Sequence, residues 1–170
     1  MTNKWILYFV SMLFYLMSSL GALGQSKPTT GINQITAAAV QTGALTCGAR
    51  IEQVTNYLGV TLDTRAVIRS PQGAPDSSGI SVAMTVLSGG VEGLAIMDFL
   101  PKSNGCMASY VVTSNFEEGC DIVRTKFVPE QADGIGLGQK TTAFNGSGSV
   151  GLYFLDATDG CTVIKAEIVQ

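Results

Sequence analysis

Four cysteines limit what this chain can become more than any other feature. Cys47, Cys106, Cys120 and Cys161 all lie beyond an apolar N-terminal run. An even number of thiols in an exported chain predicts two disulfides, with three pairings open. The run itself reads as a secretory signal peptide over residues 1–24. Lys4 is its sole charge, a largely apolar stretch spans Trp5 to Met17, and Ala22 and Gly24 supply the small residues that precede a cleavage site before Gln25. The competing reading is a membrane anchor, because Trp5 to Leu23 comes close to the roughly 20 residues that span a bilayer. Ser18, Ser19 and the small-residue end favour cleavage. The mature chain is therefore expected to be secreted or periplasmic, touching a membrane only through an uncleaved signal segment.

Residues 25–31 read as a flexible leader and residues 32–170 as a single domain, long enough to bury one core. Loss of Lys4 takes the formal net charge from −3 to −4, and the charges are scattered. Nucleic-acid binding needs clustered Lys and Arg, so no nucleic-acid partner is expected. The chain contains no His and no Cys-x-x-Cys spacing. That argues against a zinc site and against Ser-His-Asp or Cys-His chemistry. No metal and no cofactor is expected.

The predicted architecture is α+β: a long N-terminal helix and a shorter second helix on one face of a mostly antiparallel sheet, stapled by two disulfides. Val40, Ala44, Cys47, Ile51, Val54 and Leu58 recur at steps of four and three. That places them on one stripe of a helix over residues 32–58, with Cys47 facing inward. Asn33 can cap its start and Gly59 its end. Gly43 and Gly48 weaken it, each by about 1 kcal/mol relative to Ala. Gly48 invites close approach by another element. Strands are expected at 64–69, at 80–87 with Ile80, Val82, Met84 and Val86 on one face, at 94–100 and at 107–113. Short connections make the last three an antiparallel meander. Ser114 with Glu117 matches a capping box. Phe116, Cys120, Val123 and Phe127 then suggest a second helix over 114–127. Residues 128–149 read as a glycine-rich loop, and 150–155 with 162–169 as a hairpin.

An eight-residue strand covers about 26 Å. A disulfide needs its Cα atoms within about 7 Å. If Cys106 opens a strand and Cys120 follows its far end, those two cannot pair. Cys47 then joins Cys106 or Cys120, and Cys161 takes another partner.

Few groups suggest chemistry. Glu117, Glu118 and Asp121 form an acidic cluster that could serve glycoside hydrolysis, but acids in a first helical turn also simply complement the helix dipole. Asp156 and Asp159 lack calcium-loop spacing and fit a tight turn. The Gly-rich segment 133–141 lacks the glycine that must directly precede the lysine of a phosphate loop. Asn145-Gly-Ser147 is a glycosylation sequon. The first expectation is thus a non-catalytic protein-binding module (an inhibitor, an immunity-type protein or an envelope accessory factor). It would contact another protein through the exposed loops that carry Gln72, Asp76, Phe144 and Asn145. A His-independent carboxylate enzyme and a structural component of an exported assembly are the alternatives. If the cysteines are stapled as expected, thiol titration of the natively exported, unfolded but unreduced chain finds no free thiol.

Overall fold

The computed structural model describes residues 32–71, 74–146 and 148–170. The signal-peptide and leader readings fall on residues 1–31 and lie outside the described residues. The rest is one α+β unit in which every strand pairing is antiparallel. In chain order the elements are α1 (Gln34–Gln41), α2 (Gly48–Tyr57), β1 (Ala66–Arg69), α3 (Pro75–Ser78), β2 (Ile80–Ser88), β3 (Val91–Lys102) and β4 (Gly105–Phe116). Then follow α4 (Cys120–Phe127), β5 (Ile135–Gly136), β6 (Thr141–Asn145), β7 (Val150–Ala157) and β8 (Gly160–Val169). The eight strands form one sheet in the order β1-β2-β3-β4-β8-β7-β6-β5. Two four-stranded meanders therefore meet at the β4–β8 seam.

The expected long N-terminal helix is two helices. Gly43 sits at φ +102°. That region costs an L side chain strain but suits glycine, and a Cβ there would approach Pro75 to 3.1 Å. The Thr42 amide closes α1 on the Ala38 and Ala39 carbonyls, and the chain turns through residues 43–47 into α2. The apolar stripe survives the corner: Ala44, Cys47, Ile51 and Val54 are all buried. Asn33 caps α1 by accepting from the Thr36 amide at 2.9 Å, and its amide group also donates to Thr55 and Asn56 of α2. Gly48 lets α1 come close, since a Cβ there would lie 3.3 Å from Val40.

The second helix begins at Cys120, not at Ser114, and the capping box does not form. Ala108, Tyr110, Val112, Ser114 and Phe116 alternate inward along β4, and the strand pairs with β8 as far as Phe116 opposite Cys161. Ladder hydrogen bonds and a buried phenylalanine outweigh a local cap worth about 1 kcal/mol. The loop expected over 128–149 also contains β6 and the edge strand β5.

Both helical layers lie on one face. Cys106 and Phe116 are ten residues apart on β4 and so point the same way; one meets α2 and the other packs against Phe127 of α4. The first core gathers α1, α2 and β2–β4 around Ile51, Val82, Met97 and Phe99. The second joins Phe116, Val123, Phe144, Phe154 and Val163 beneath α4. Each large apolar side chain buried this way contributes about 1.5–3 kcal/mol.

Each half carries its own disulfide: Cys47–Cys106 ties α2 to β4, and Cys120–Cys161 ties α4 to β8. Both obey the geometric exclusion of a Cys106–Cys120 bridge. Gly160 opens β8 at φ +139°, where a Cβ would fall 2.0 Å from the Phe116 carbonyl oxygen. Only glycine lets the β7–β8 turn lie so close to the end of β4. Closing a loop with a sequence separation of 41 removes about 4 kcal/mol of unfolded-chain entropy. Replacing Cys120 and Cys161 together by Ala should lower the free energy of unfolding by about that amount in a urea titration.

Candidate functional site

The carboxylates singled out by the sequence do not assemble a reaction centre. Glu117 and Glu118 are exposed in the β4–α4 connection, and Asp121 is exposed in the first turn of α4. Glu118 accepts from the Lys126 ammonium at 2.5 Å, and that hydrogen bond, with one from its own backbone amide, holds its carboxyl below the usual range. An acid needed for glycoside hydrolysis requires the opposite shift. The principal clefts are lined by other residues. The cleft of ≈ 460 Å³ between α2 and the β3–β4 turn presents Thr46, Arg50, Gln53, Lys102 and Asn104. Its Arg50 is already engaged by the Cys106 carbonyl at 3.1 Å and Gln53 at 2.9 Å. No group of three or more potential metal-ligating side chains is found among the described residues.

The loop residues fare unevenly. Phe144 is no interface anchor: it is buried on β6, edge-on to Phe154 at 5.6 Å, with the Arg124 guanidinium 5.8 Å from its ring centre. The reason is that this stretch is a strand whose inward position must fill the second core. Asp76 is exposed on α3, and its carboxylate accepts from the Thr46 amide at 2.5 Å, which fastens α3 to the α1–α2 corner. Asn145 is exposed at the end of β6. Gln72 lies outside the described residues, as does Ser147 of the sequon.

One polar cluster was missed. Lys165 and Glu167 of β8 alternate onto the helix-bearing face with Val163, where Tyr57 at the end of α2 and Tyr110 of β4 meet them. The Lys165 ammonium lies 3.0 Å from the Tyr57 hydroxyl and 3.4 Å from the Glu167 carboxylate, and it stands over both tyrosine rings at 5.1 and 5.4 Å. The Tyr110 hydroxyl donates to Glu167. Burial, reinforced by this carboxylate, pushes the Tyr110 phenol well above its ordinary value. Burial alone disfavours the Lys165 ammonium, but the Tyr57 and Tyr110 hydroxyls overcome it and leave the group more basic than usual. A nucleophilic lysine or a tyrosinate base requires lowered values. The cluster is a brace between α2 and the central strands.

The larger unexplained feature is the other face of the sheet, which no described element covers. Read across the strands, Val67, Ala83, Ile96, Val111, Ala166 and Gly151 form one row. Thr85, Leu94, Thr113, Ile164 and Tyr153 form the next. Neither row contains a charge. Leu94, Ile96, Leu100, Val111 and Ile168 are each 40–47 % exposed there. The sequence carried a signal for it, since Leu94-Ala-Ile-Met-Asp-Phe-Leu100 is apolar on both faces of β3 except at Asp98. Such runs belong to strands buried on both sides, whereas a one-sided antiparallel sheet alternates with polar residues. Only one side of β3 is buried by the described residues.

No family model matches the chain, and no curated protein or solved structure is significantly similar to it. No helix among the described residues is long and apolar enough to cross a membrane. The two disulfides fit an oxidising environment.

Lys165 and Tyr110 hold their protons more tightly folded than unfolded. The stability they add is complete below the unfolded values of about 10 and 10.4, and it drains away as pH climbs through those toward the raised folded values. The melting temperature should therefore fall above about pH 10. A Lys165→Met variant should show a shallower alkaline decline.

Proposed function

We propose that this chain is an exported, non-catalytic protein-binding module whose recognition surface is the uncovered face of its sheet. One observation carries the reading: a contiguous uncharged surface across the central strands, where apolar side chains from β3, β4 and β8 stand nearly half exposed. Monomeric proteins rarely leave more than about 300–600 Å² of contiguous apolar surface bare, and larger patches mark interaction sites. Disulfide bracing and an N-terminal secretory pattern support export. The bracing also keeps the face rigid, which lowers the entropy lost on association. Loops flank this face as a rim, and Asn145 stands at one corner of it.

The carboxylate-enzyme alternative loses its support, because Glu117 and Glu118 face solvent outside every principal cleft. The test compares partner recovery by three tagged forms from the cell exterior or envelope. Ile96→Glu should reduce recovery of a specific partner at least tenfold, a loss of about 1.4 kcal/mol or more. The double variant Glu117→Gln/Glu118→Gln should recover it like the parent. Unfolding curves should be unchanged for Ile96→Glu, which leaves both cores intact. Undiminished recovery by Ile96→Glu would sink the proposal.

A further inference from the structure

We infer that the occupant of the uncovered sheet face is a second copy of this chain, packed sheet against sheet in a two-fold dimer. The inference rests on the reading of that face as the recognition surface and assigns its partner.

Area is the first argument. Five strands, β2 to β4 with β8 and β7, spaced by about 4.8 Å and counted at eight residues of about 3.3 Å each, present with the four-residue β1 roughly 700 Å². A standard stable interface takes about 600–1,000 Å² from each partner. The face is thus large enough to hold a dimer without help from loops.

Charge is the second. The chain as a whole is acidic, with 13 Asp and Glu against 10 Lys and Arg. Two copies repel over most of their surface. On the uncovered face the two apolar rows carry no charge, and the rows that flank them hold three: Arg69 and Asp98, separated by Ser81, on one side and Glu92 on the other. The centre of this face is uncharged and its flanking rows carry a single net negative charge, so it is where a copy can approach at the least like-charge cost. A basic partner would find its complement elsewhere, and an anionic membrane would meet no cluster of lysines or arginines here.

The sheet's edges give the third. A copy could instead add to an open edge, but the edge strands β1 and β5 are four and two residues long. Short edges offer too few ladder bonds to seat another sheet. Association is left to the face. Packed sheets lie about 10 Å apart with strands within about 30° of alignment. A two-fold axis along β4 at Val111 then sets Ile96 of one copy against Ala166 of the other, a large residue over a small one, and brings Val111 onto Val111.

The measurement is sedimentation of the purified mature protein with no other protein present. The parent should be a dimer at about 10 μM, as expected for a dissociation constant of 1 μM or tighter. Val111→Glu sets like charges face to face at the axis, so it should be monomeric at that concentration, with unchanged circular dichroism and melting temperature. Leu62→Glu is the control, because Leu62 is 92 % exposed and lies outside the sheet; it should remain dimeric. A parent that is monomeric at about 100 μM overturns the dimer. So does a dimer that survives Val111→Glu, since another surface must then hold it. A monomer whose Ile96→Glu form still loses an envelope partner would remove this inference and leave the proposed function standing. Loss of neither dimer nor partner on charging the face would remove both.

Discussion

The pairing of β4 with β8 is the joint on which the molecule depends. It runs through nine consecutive residue pairs, from Ala108 opposite Val169 to Phe116 opposite Cys161. Every other strand is reached from this seam through antiparallel neighbours on one side or the other. Without it there would be two four-stranded halves, each with a helix layer and a small core, and neither with enough buried surface to be robust. The Tyr57–Tyr110–Lys165–Glu167 brace sits directly over the seam, bonding a helix of the first half to a strand of the second. The disulfides do a different task. Each fixes a helix to its own half.

With one face sealed by three helices and braced by sulfur, the other face is free to be specialised. A sheet that is apolar on both sides is a poor design for an isolated monomer, because the second apolar side gains nothing until something covers it. The two rows around Ile96 and Leu94 are central and lack charge. The acids and bases that could have blunted the surface sit at its margins. By contrast, the polar groups elsewhere are paired into braces and clamps: Glu118 with Lys126, Asp76 with the Thr46 amide. Those groups stabilise local structure and are not organised around any shared point in space, as a reaction centre requires.

How much of this could be read from the residues depended on contrast. β2 was legible because Ile80, Val82, Met84 and Val86 alternate with smaller or polar neighbours. The Asn33 cap and the inward stripe of α2 were legible for the same reason, as was the exclusion of one disulfide pairing. The break at Gly43 was not, because the spacing of apolar residues happens to continue across the corner and periodicity cannot see a change of axis. Ser114 was misassigned because a local capping signature competed with a strand whose pairing partner lies about 50 residues away, and long-range ladder bonds leave no local trace. β6 was hidden because Thr141, Thr142 and Ala143 offer no large-small alternation, so Phe144 read as a loop residue able either to anchor an interface or to tuck back onto its own sheet, as it does. The uncovered face was written in Leu94–Leu100, broken only at Asp98, but a strand apolar on both sides looks the same whether its second side meets another layer of its own chain or another molecule.

The order of the sulfur bridges has a consequence for biogenesis. First pairs with second and third with fourth. A polypeptide emerging from its amino end therefore presents Cys47 and Cys106 together before Cys120 has appeared. Oxidation in order of appearance yields the native set directly. In that order no wrong bridge has to be broken, and reshuffling, a process of seconds to hours, is not required.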